Sequence, residues 1–161
     1  MPEARFVVQL TPAPALTPTG DDEIDFLFTA NGNFAPQKVE RIASGGEISR
    51  VMLALKALLA HRMELPTIIF DEIDTGVSGR IADAMGEIIE SLSATMQVVD
   101  ITHLPQVASK GSAHFVVYKQ DGRTGIRRLT AEERITEIAK MLSGSRITDA
   151  AVAQARILLG K

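Results

Sequence analysis

The sequence contains no cysteine. This absence excludes disulfides, thiolate catalysis and cysteine-based zinc sites, and it fits a reducing compartment. No stretch approaches the roughly 18 consecutive apolar residues that a membrane-spanning helix needs. The first residues, MPEARFVVQL, lack the basic start and apolar run of a signal peptide. We therefore expect a cytoplasmic protein with no membrane partner.

An excess of charge of one sign is also missing. The chain has 17 Lys and Arg against 20 Asp and Glu, so composition offers no broad basic surface for a nucleic acid. Hydrophobic residues make up 45% of the chain, which is enough to build a core and argues against disorder. A length of 161 residues fits one ordinary domain.

Residues 1–35 carry the pattern of two strands. Apolar residues recur at every second position in two segments, a period that is typical of half-buried strands. They are Phe6, Val8 and Leu10 in the first segment and Ile24, Phe26 and Phe28 in the second. The stretch between them, residues 11–22, contains three prolines, which cannot donate to a sheet ladder. We therefore predict a loop here, joining an antiparallel strand pair.

Residues 40–161 predict an α/β lobe with parallel strands. A helix is predicted from Glu47 to just before Pro66, with Ser44 and Glu47 as an S-x-x-E capping box. The apolar run 67–70, the helical stripe 81–92 and the apolar run 97–101 then form a strand–helix–strand crossover. The remaining predicted elements are strands at 114–119 and 125–130, a turn at 120–125, and two helices. The first helix starts at a second capping box, Thr130 with Glu133, and the other starts near Thr148.

The first feature with chemical potential is ASGGE, residues 43–47. Adjacent glycines let the backbone approach a ligand closely, and a helix N-terminus offers unpaired N–H groups that suit a phosphate. A flexible turn with a serine cap would give the same string. Alone, the motif leaves both interpretations open.

The second feature is TIIFDEID, residues 67–74. Its buried strand ends in Asp71 and Glu72, at the sheet edge where open α/β proteins bind ligands. Asp71 can hold Mg²⁺ through water, and Glu72 can polarise an attacking water. The alternative is a solvated acidic turn.

The third feature is His103, just after the second parallel strand. It should emerge at the same edge as Glu72, where an imidazole could donate a hydrogen bond to a phosphate oxygen. A lone histidine is more often structural or superficial. Its expected position beside the carboxylates is what favours a functional role.

The order of these motifs resembles that of ABC-type ATPase heads. In detail, ASGGEISR, FDEIDTGVSG, THLPQVAS and the tail ITEIAKMLSGSRITDAAVAQARILL resemble the RecN family of bacterial DNA repair proteins. The resemblance covers nearly the whole chain, although residues 1–35 match loosely. It implies the C-terminal lobe of an ABC-type P-loop ATPase head: parallel strands flanked by helices, plus an N-terminal antiparallel strand pair.

The resemblance also implies roles for single residues. Asp71 would be the Walker B carboxylate of the Mg²⁺ site, Glu72 the catalytic glutamate and His103 the switch histidine that senses the γ-phosphate. The signature would contact ATP bound to a second head, and the D-loop would cross the interface between heads. The signature residues are Ser44, Gly45, Gly46 and Glu47; the D-loop residues are Asp74, Thr75, Gly76, Val77 and Ser78.

One motif of such heads is missing. No G-x-x-x-x-G-K-[ST] string occurs, so the chain lacks the phosphate cradle and its lysine. The resemblance implies an N-terminal Walker A half and a long coiled coil elsewhere in the protein. ATP and Mg²⁺ would then bind only in the assembled head, and the chain alone would not hydrolyse ATP. The implied partners are that half, a second identical head and, through the full-length protein, DNA. The implied process is recombinational repair of DNA double-strand breaks, with the protein associated with the nucleoid while it acts on DNA.

Two other functions fit parts of the sequence. A Toprim-like Mg²⁺-dependent nuclease could use Asp71, Glu72, Asp74 and Asp100, but the D-E-x-D spacing lacks the expected glutamate on an earlier strand. A non-enzymatic interaction module could instead use its apolar faces to hold a partner. An interaction module is compatible with the resemblance to an ATPase head, because such a head also needs apolar faces that meet a partner.

Overall fold

The computed structural model describes residues 3–41, 45–144 and 146–161. In this part of the chain, the strands form one three-stranded antiparallel sheet, one parallel pair and one antiparallel hairpin. The strands are β1 (Arg5–Thr17), β2 (Gly20–Thr29), β3 (Gln37–Lys38), β4 (Thr67–Asp71), β5 (Gln97–Ile101), β6 (Phe115–Gln120) and β7 (Arg123–Arg128). The helices are α1 (Gly45–Met63), α2 (Gly79–Leu92), α3 (Pro105–Ala108), α4 (Ala131–Ser143) and α5 (Asp149–Leu158).

Residues 11–17 of the stretch predicted as a loop belong to β1 and residues 20–22 to β2, so that prediction was wrong except at Pro18 and Thr19. β1 pairs with β2 as far as Pro12 opposite Asp22, and the register becomes irregular between Pro12 and Thr17. The sheet order is β1-β2-β3, which makes β1 an edge strand. An edge strand tolerates proline because one side of its backbone needs no ladder partner. The antiparallel pairing of β1 with β2 itself was predicted correctly.

The crossover from β4 through α2 to β5 was also predicted correctly. β4 and β5 are parallel neighbours, with Phe70 opposite Asp100. One face of this pair packs against α1, α2 and α3. The short helix α3 was not predicted from the sequence. The core on this covered face consists of Leu53, Phe70, Met85, Ile89, Leu92 and Val107.

The turn between β6 and β7 is shorter than predicted. Both strands run up to a two-residue turn at Asp121 and Gly122, whose φ angles are 50° and 71°. Positive φ at both central positions defines a turn whose twist matches that of a hairpin, and Asp-Gly is a preferred sequence for it. The predicted six-residue turn therefore overlooked the Asp-Gly signal.

Helices α4 and α5 close the described chain. The Thr130 hydroxyl accepts a hydrogen bond from the Glu133 N–H and the Glu133 carboxylate accepts one from the Thr130 N–H, which confirms the predicted capping box. Thr148 caps α5 through the Ala151 N–H. The corresponding prediction at the start of α1 involves Ser44, which lies outside the described residues.

Candidate functional site at the carboxyl end of the parallel strands

Glu72 and His103 emerge at the same edge of the β4–β5 pair. Asp71 and Ile101 are opposite each other in the parallel register, and the Glu72 N–H donates to the Ile101 carbonyl at 3.0 Å. His103 follows Ile101 by two residues. The strand pairing thus gives the arrangement on which the sequence interpretation depended, because carboxyl ends of neighbouring parallel strands meet at one edge.

The adjacent carboxylates of Asp71 and Glu72 are open to solvent. Within the described ranges, no side-chain hydrogen bond or ion pair engages either of them. The Glu72 backbone has a φ of 49°, which is uncommon for a residue other than glycine. The Thr75 N–H and hydroxyl donate to the Glu72 carbonyl at 3.2 and 2.9 Å and hold this conformation. Two unpaired, exposed carboxylates fit the hard oxygen ligands that Mg²⁺ and its water shell prefer.

The glycines at the start of α1 differ from each other. Among the described residues, none would lie within 4 Å of a Cβ on Gly45, whereas a Cβ on Gly46 would lie 2.6 Å from the Gly76 carbonyl oxygen. Gly46 is therefore needed for close packing against the predicted D-loop. Glu47 is half-buried in the first turn of α1. Ser44, the remaining signature residue, is not among the described residues.

The predicted D-loop, Asp74–Ser78, is exposed at Thr75, Gly76 and Ser78, while Val77 packs against the core. Asp74 is buried, with 1% of its surface exposed. Its Oδ2 accepts a hydrogen bond from the Thr102 hydroxyl, and its Oδ1 lies 3.9 Å from His103 Nδ1. The structure thus brings Asp74 to His103 within one chain.

Thr102 is a contact that the sequence interpretation missed. Its hydroxyl also accepts from the Leu104 N–H at 2.9 Å, a local pattern that Ser and Thr commonly form with the backbone two residues on. A Thr directly before a candidate His at a strand end could have indicated this turn. Its partner Asp74 could not have been identified locally, since the two are 28 residues apart.

Asp100 lies on the covered face of β5, opposite Phe70. Both of its carboxylate oxygens are buried without a hydrogen-bond partner among the described residues. Burial, and secondarily the charge of Asp74, raises the pKa of Asp100 to about 6.

The four acidic residues of the nuclease alternative do not act as one group. Asp71 and Glu72 are exposed, whereas Asp74 and Asp100 are buried or half-buried on the helix side. Throughout the described part of the chain, no three His, Asp or Glu side chains are grouped closely enough to hold a metal ion. None of the described helices is long and apolar enough to cross a membrane.

No protein-family profile matches the chain, but individual relatives do. It is 41% identical over 163 aligned residues to the DNA repair protein RecN of Rickettsia felis and 43% identical over 148 to that of Bacillus subtilis. These alignments cover 99% and 89% of the chain. The chain is similar to a segment of each of these RecN proteins. It spans 30% and 26% of these two relatives, less than a third of either.

Solved structures with lower sequence identity share the fold of this chain. The SMC head domain of Pyrococcus yayanosii, solved with a coiled coil and joint, aligns over 85% of this chain with a TM-score of 0.70 and 18% identity, the chain covering 26% of that structure. An SMC ATPase studied for ATP-driven dimerization and DNA-stimulated activation aligns over 89% of the chain and 82% of its own length, with a TM-score of 0.66 and 19% identity. The chain therefore has the fold of part of an SMC-type ATPase head.

Proposed function

We propose that this chain is the C-terminal part of the ATPase head of a RecN-like protein that repairs DNA double-strand breaks by recombination. The main support is the position of Glu72 and His103 at the same edge of the parallel strands, in a sequence related to RecN along nearly its whole length. In this proposal, ATP and Mg²⁺ bind only after the head is complete.

Each residue at the edge has a defined task in this proposal. Bound Mg²⁺ supplies positive charge that offsets the charge of the phosphates. Asp71 holds the water shell of the ion, and Glu72 orients and polarises the attacking water. His103 donates a hydrogen bond to a γ-phosphate oxygen. These tasks need carboxylates that are free of other partners, as those of Asp71 and Glu72 are in the described chain.

The signature and the D-loop serve a second head. No described residue would contact a Cβ on Gly45 at the N-terminus of α1, and a helix N-terminus attracts phosphate. In the proposal, Ser44, Gly45, Gly46 and Glu47 close over the nucleotide held by another copy, and the exposed residues of Asp74–Ser78 cross the interface between the copies. Binding of ATP then joins two heads, and hydrolysis releases them.

The uncovered face of the β4–β5 pair supports a missing N-terminal half. We call this surface the open face; it consists of Ile69, Val99 and Ile101, which are 61, 42 and 52% exposed. Parallel strands occur almost only where both faces of the sheet are covered. The Walker A half is the partner that the proposal assigns to this face. DNA contacts are assigned to the full-length protein, since this chain has a formal net charge of −3.

The proposal is tested by reconstituting the head. The chain is produced together with the Walker A half of a RecN-like protein, and ATP hydrolysis is measured by phosphate release. We expect turnover from the pair and none from either half. Glu72→Gln should lower kcat by a factor on the order of a hundred or more, because the water loses its general base.

Glu87→Gln is the matched control, since Glu87 is exposed on α2 and outside the site. It should leave turnover unchanged. Unaltered hydrolysis with Glu72→Gln would show that Glu72 is not the catalytic carboxylate. Absence of turnover from a stable complex of the two halves would remove the ATPase proposal itself.

A second candidate function, that of an interaction module, is favoured by exposed apolar side chains outside the open face. On α1, Leu58, Leu59 and Met63 are 61, 55 and 64% exposed, and contiguous apolar surfaces of this kind usually meet a partner. Light scattering should then show self-association of the chain alone, relieved by the Walker A half. A chain that stays monomeric and does not bind the Walker A half would contradict both this candidate and the proposed head.

A further inference from the structure

Asp74 differs from the rest of its loop in the direction of its side chain. Thr75, Gly76 and Ser78 are exposed, whereas Asp74 retains 1% of its surface. A buried carboxylate is costly unless polar or charged groups compensate it. Its partners therefore show which part of the molecule the side chain serves, and both of them, Thr102 and His103, lie just beyond the end of β5.

Thr102 is the first of these partners. Its hydroxyl donates to Asp74 Oδ2 and at the same time accepts from the Leu104 N–H at 2.9 Å. The hydroxyl thus connects the buried carboxylate to the backbone on both sides of His103. Asp74 holds the turn that carries this histidine.

His103 itself is the second partner. Asp74 Oδ1 lies 3.9 Å from its Nδ1 and has no hydrogen-bond partner among the described residues. This is an ion-pair distance, and contacts of this type commonly shorten when a ligand closes the site. A carboxylate facing Nδ1 fixes the N–H on that nitrogen and orients the ring, so that Nε2, on the far side of the ring, faces the ligand. Nε2 donates to a phosphate oxygen when the ring carries a second proton there, since both nitrogens are donors only in the imidazolium.

The loop is also attached to the signature helix. Gly46 packs against Gly76 so closely that a Cβ would not fit, and the Ser49 hydroxyl donates to the Thr75 carbonyl at 3.2 Å. A movement at the start of α1 therefore has a contiguous path of contacts through Thr75 and Asp74 to His103.

We propose that Asp74 is a positioning residue for His103 of its own chain, so that contact of a second head with the signature and the loop adjusts the histidine of the first head. This inference rests on the proposed function, because the histidine acts on nucleotide only in the assembled head. It assigns the Asp74 carboxylate to its own subunit, while the exposed neighbours in the loop remain free for the second head.

The contact can be tested without ATP hydrolysis. The chain, labelled with ¹⁵N-histidine and combined with the unlabelled Walker A half, is examined by NMR for the tautomer of His103. We expect an Nδ1–H ring in the wild type and loss of that fixed tautomer with Asp74→Asn. Thr102→Val should have the same effect in weaker form, and Asp121→Asn, in the exposed hairpin turn, should have none. An unchanged His103 spectrum with Asp74→Asn overturns the inference.

The functional test separates action within one head from action across the interface. Differently tagged heads are combined so that Asp74→Asn and His103→Ala lie either in the same subunit or in opposite subunits of a dimer. If Asp74 acts on its own His103, the same-subunit dimer keeps one intact site and about half the wild-type kcat, whereas both sites of the opposite-subunit dimer are impaired. The reverse order, or equal rates, overturns the inference.

A kinetic comparison excludes a merely structural role. Loss of the contact between the Asp74 carboxylate and His103 should lower kcat by a factor on the order of ten, with KM for ATP unchanged. On a His103→Ala background the same Asp74→Asn change should lower kcat no further, whereas general damage to the head would continue to lower it. A fixed tautomer in a head without turnover would refute the proposed function alone; turnover with additive effects would refute this inference alone.

Discussion

The two faces of the β4–β5 pair show opposite environments within one pair of strands. On the covered face, Phe70 is completely buried among residues of α1, α2 and α3. On the open face, its neighbour Ile69 is 61% exposed. Successive side chains of a strand point to opposite faces, so these two adjacent residues of one strand allow the two environments to be compared directly.

The two faces have different roles, one in the stability of the chain and the other in its association with a partner. Apolar residues of the covered face, such as Phe70, stabilise the chain as it stands, because they are already buried. Apolar residues of the open face contribute little until a partner covers them. Substitutions on the two faces should therefore affect different measurements, and the following predictions are arranged by the size of the expected effect.

The largest effect is expected for Phe70→Ala. Removing a fully buried phenylalanine leaves a cavity and should lower the free energy of unfolding by about 3–5 kcal/mol. Urea unfolding of the chain, followed by circular dichroism, measures the loss. Phe115→Ala is the matched control, since Phe115 is 53% exposed on β6 and its removal should cost far less. Equal losses at both positions would mean that the covered face is not the stabilising core.

A smaller effect of opposite sign is expected for Asp100→Asn, on the covered face. Burial raises the pKa of Asp100 from its ordinary value of 3.8 to about 6. Because the folded carboxyl holds its proton more tightly than the unfolded one, the cost of ionisation is absent below pH 3.8, grows up to about pH 6 and is complete above it. After allowance for solvent screening, Asn should stabilise the chain at pH 7.5 by roughly 1–2 kcal/mol.

The pH dependence distinguishes this cause from others. Urea midpoints of wild type and Asp100→Asn should differ at pH 7.5 and converge near pH 4, where the carboxyl is protonated in the folded state. Asp121→Asn, at an exposed turn position, should show no such change with pH. A gain from Asp100→Asn that is the same at both pH values would argue against desolvation as its origin.

Local patterns predicted much of this fold. The Thr130–Glu133 capping box and the runs 67–70 and 97–101 each contain their own signal, because the interactions that decide them lie within a few residues. The strand at Pro12 was not predicted, since proline is tolerated there only because β1 is at the edge of its sheet. Edge position depends on the topology of the whole sheet and is absent from the local sequence.

The candidate site divides in the same way. The order of strand ends indicated that Glu72 and His103 share an edge, because parallel pairing fixes that relation. The inward direction of Asp74 was not predicted: motif resemblance places a loop along the chain but says nothing about which of its side chains turn inward. The bond from Thr102 to Asp74 joins two separate strand ends and becomes visible only in the folded chain.

The smallest effect on the chain's own stability is expected for Ile69→Ser, on the open face. The side chain is mostly exposed already, so unfolding in urea should change by less than about 0.5 kcal/mol. Association with the Walker A half should weaken by a factor on the order of ten, because the isoleucine becomes buried only in the complex and serine there would contribute no comparable apolar burial. Titration calorimetry measures this affinity. Ile157→Ser on α5, where the side chain is 68% exposed, should change neither quantity. If Ile69→Ser instead unfolds the chain and leaves binding intact, the open face is not where the partner docks.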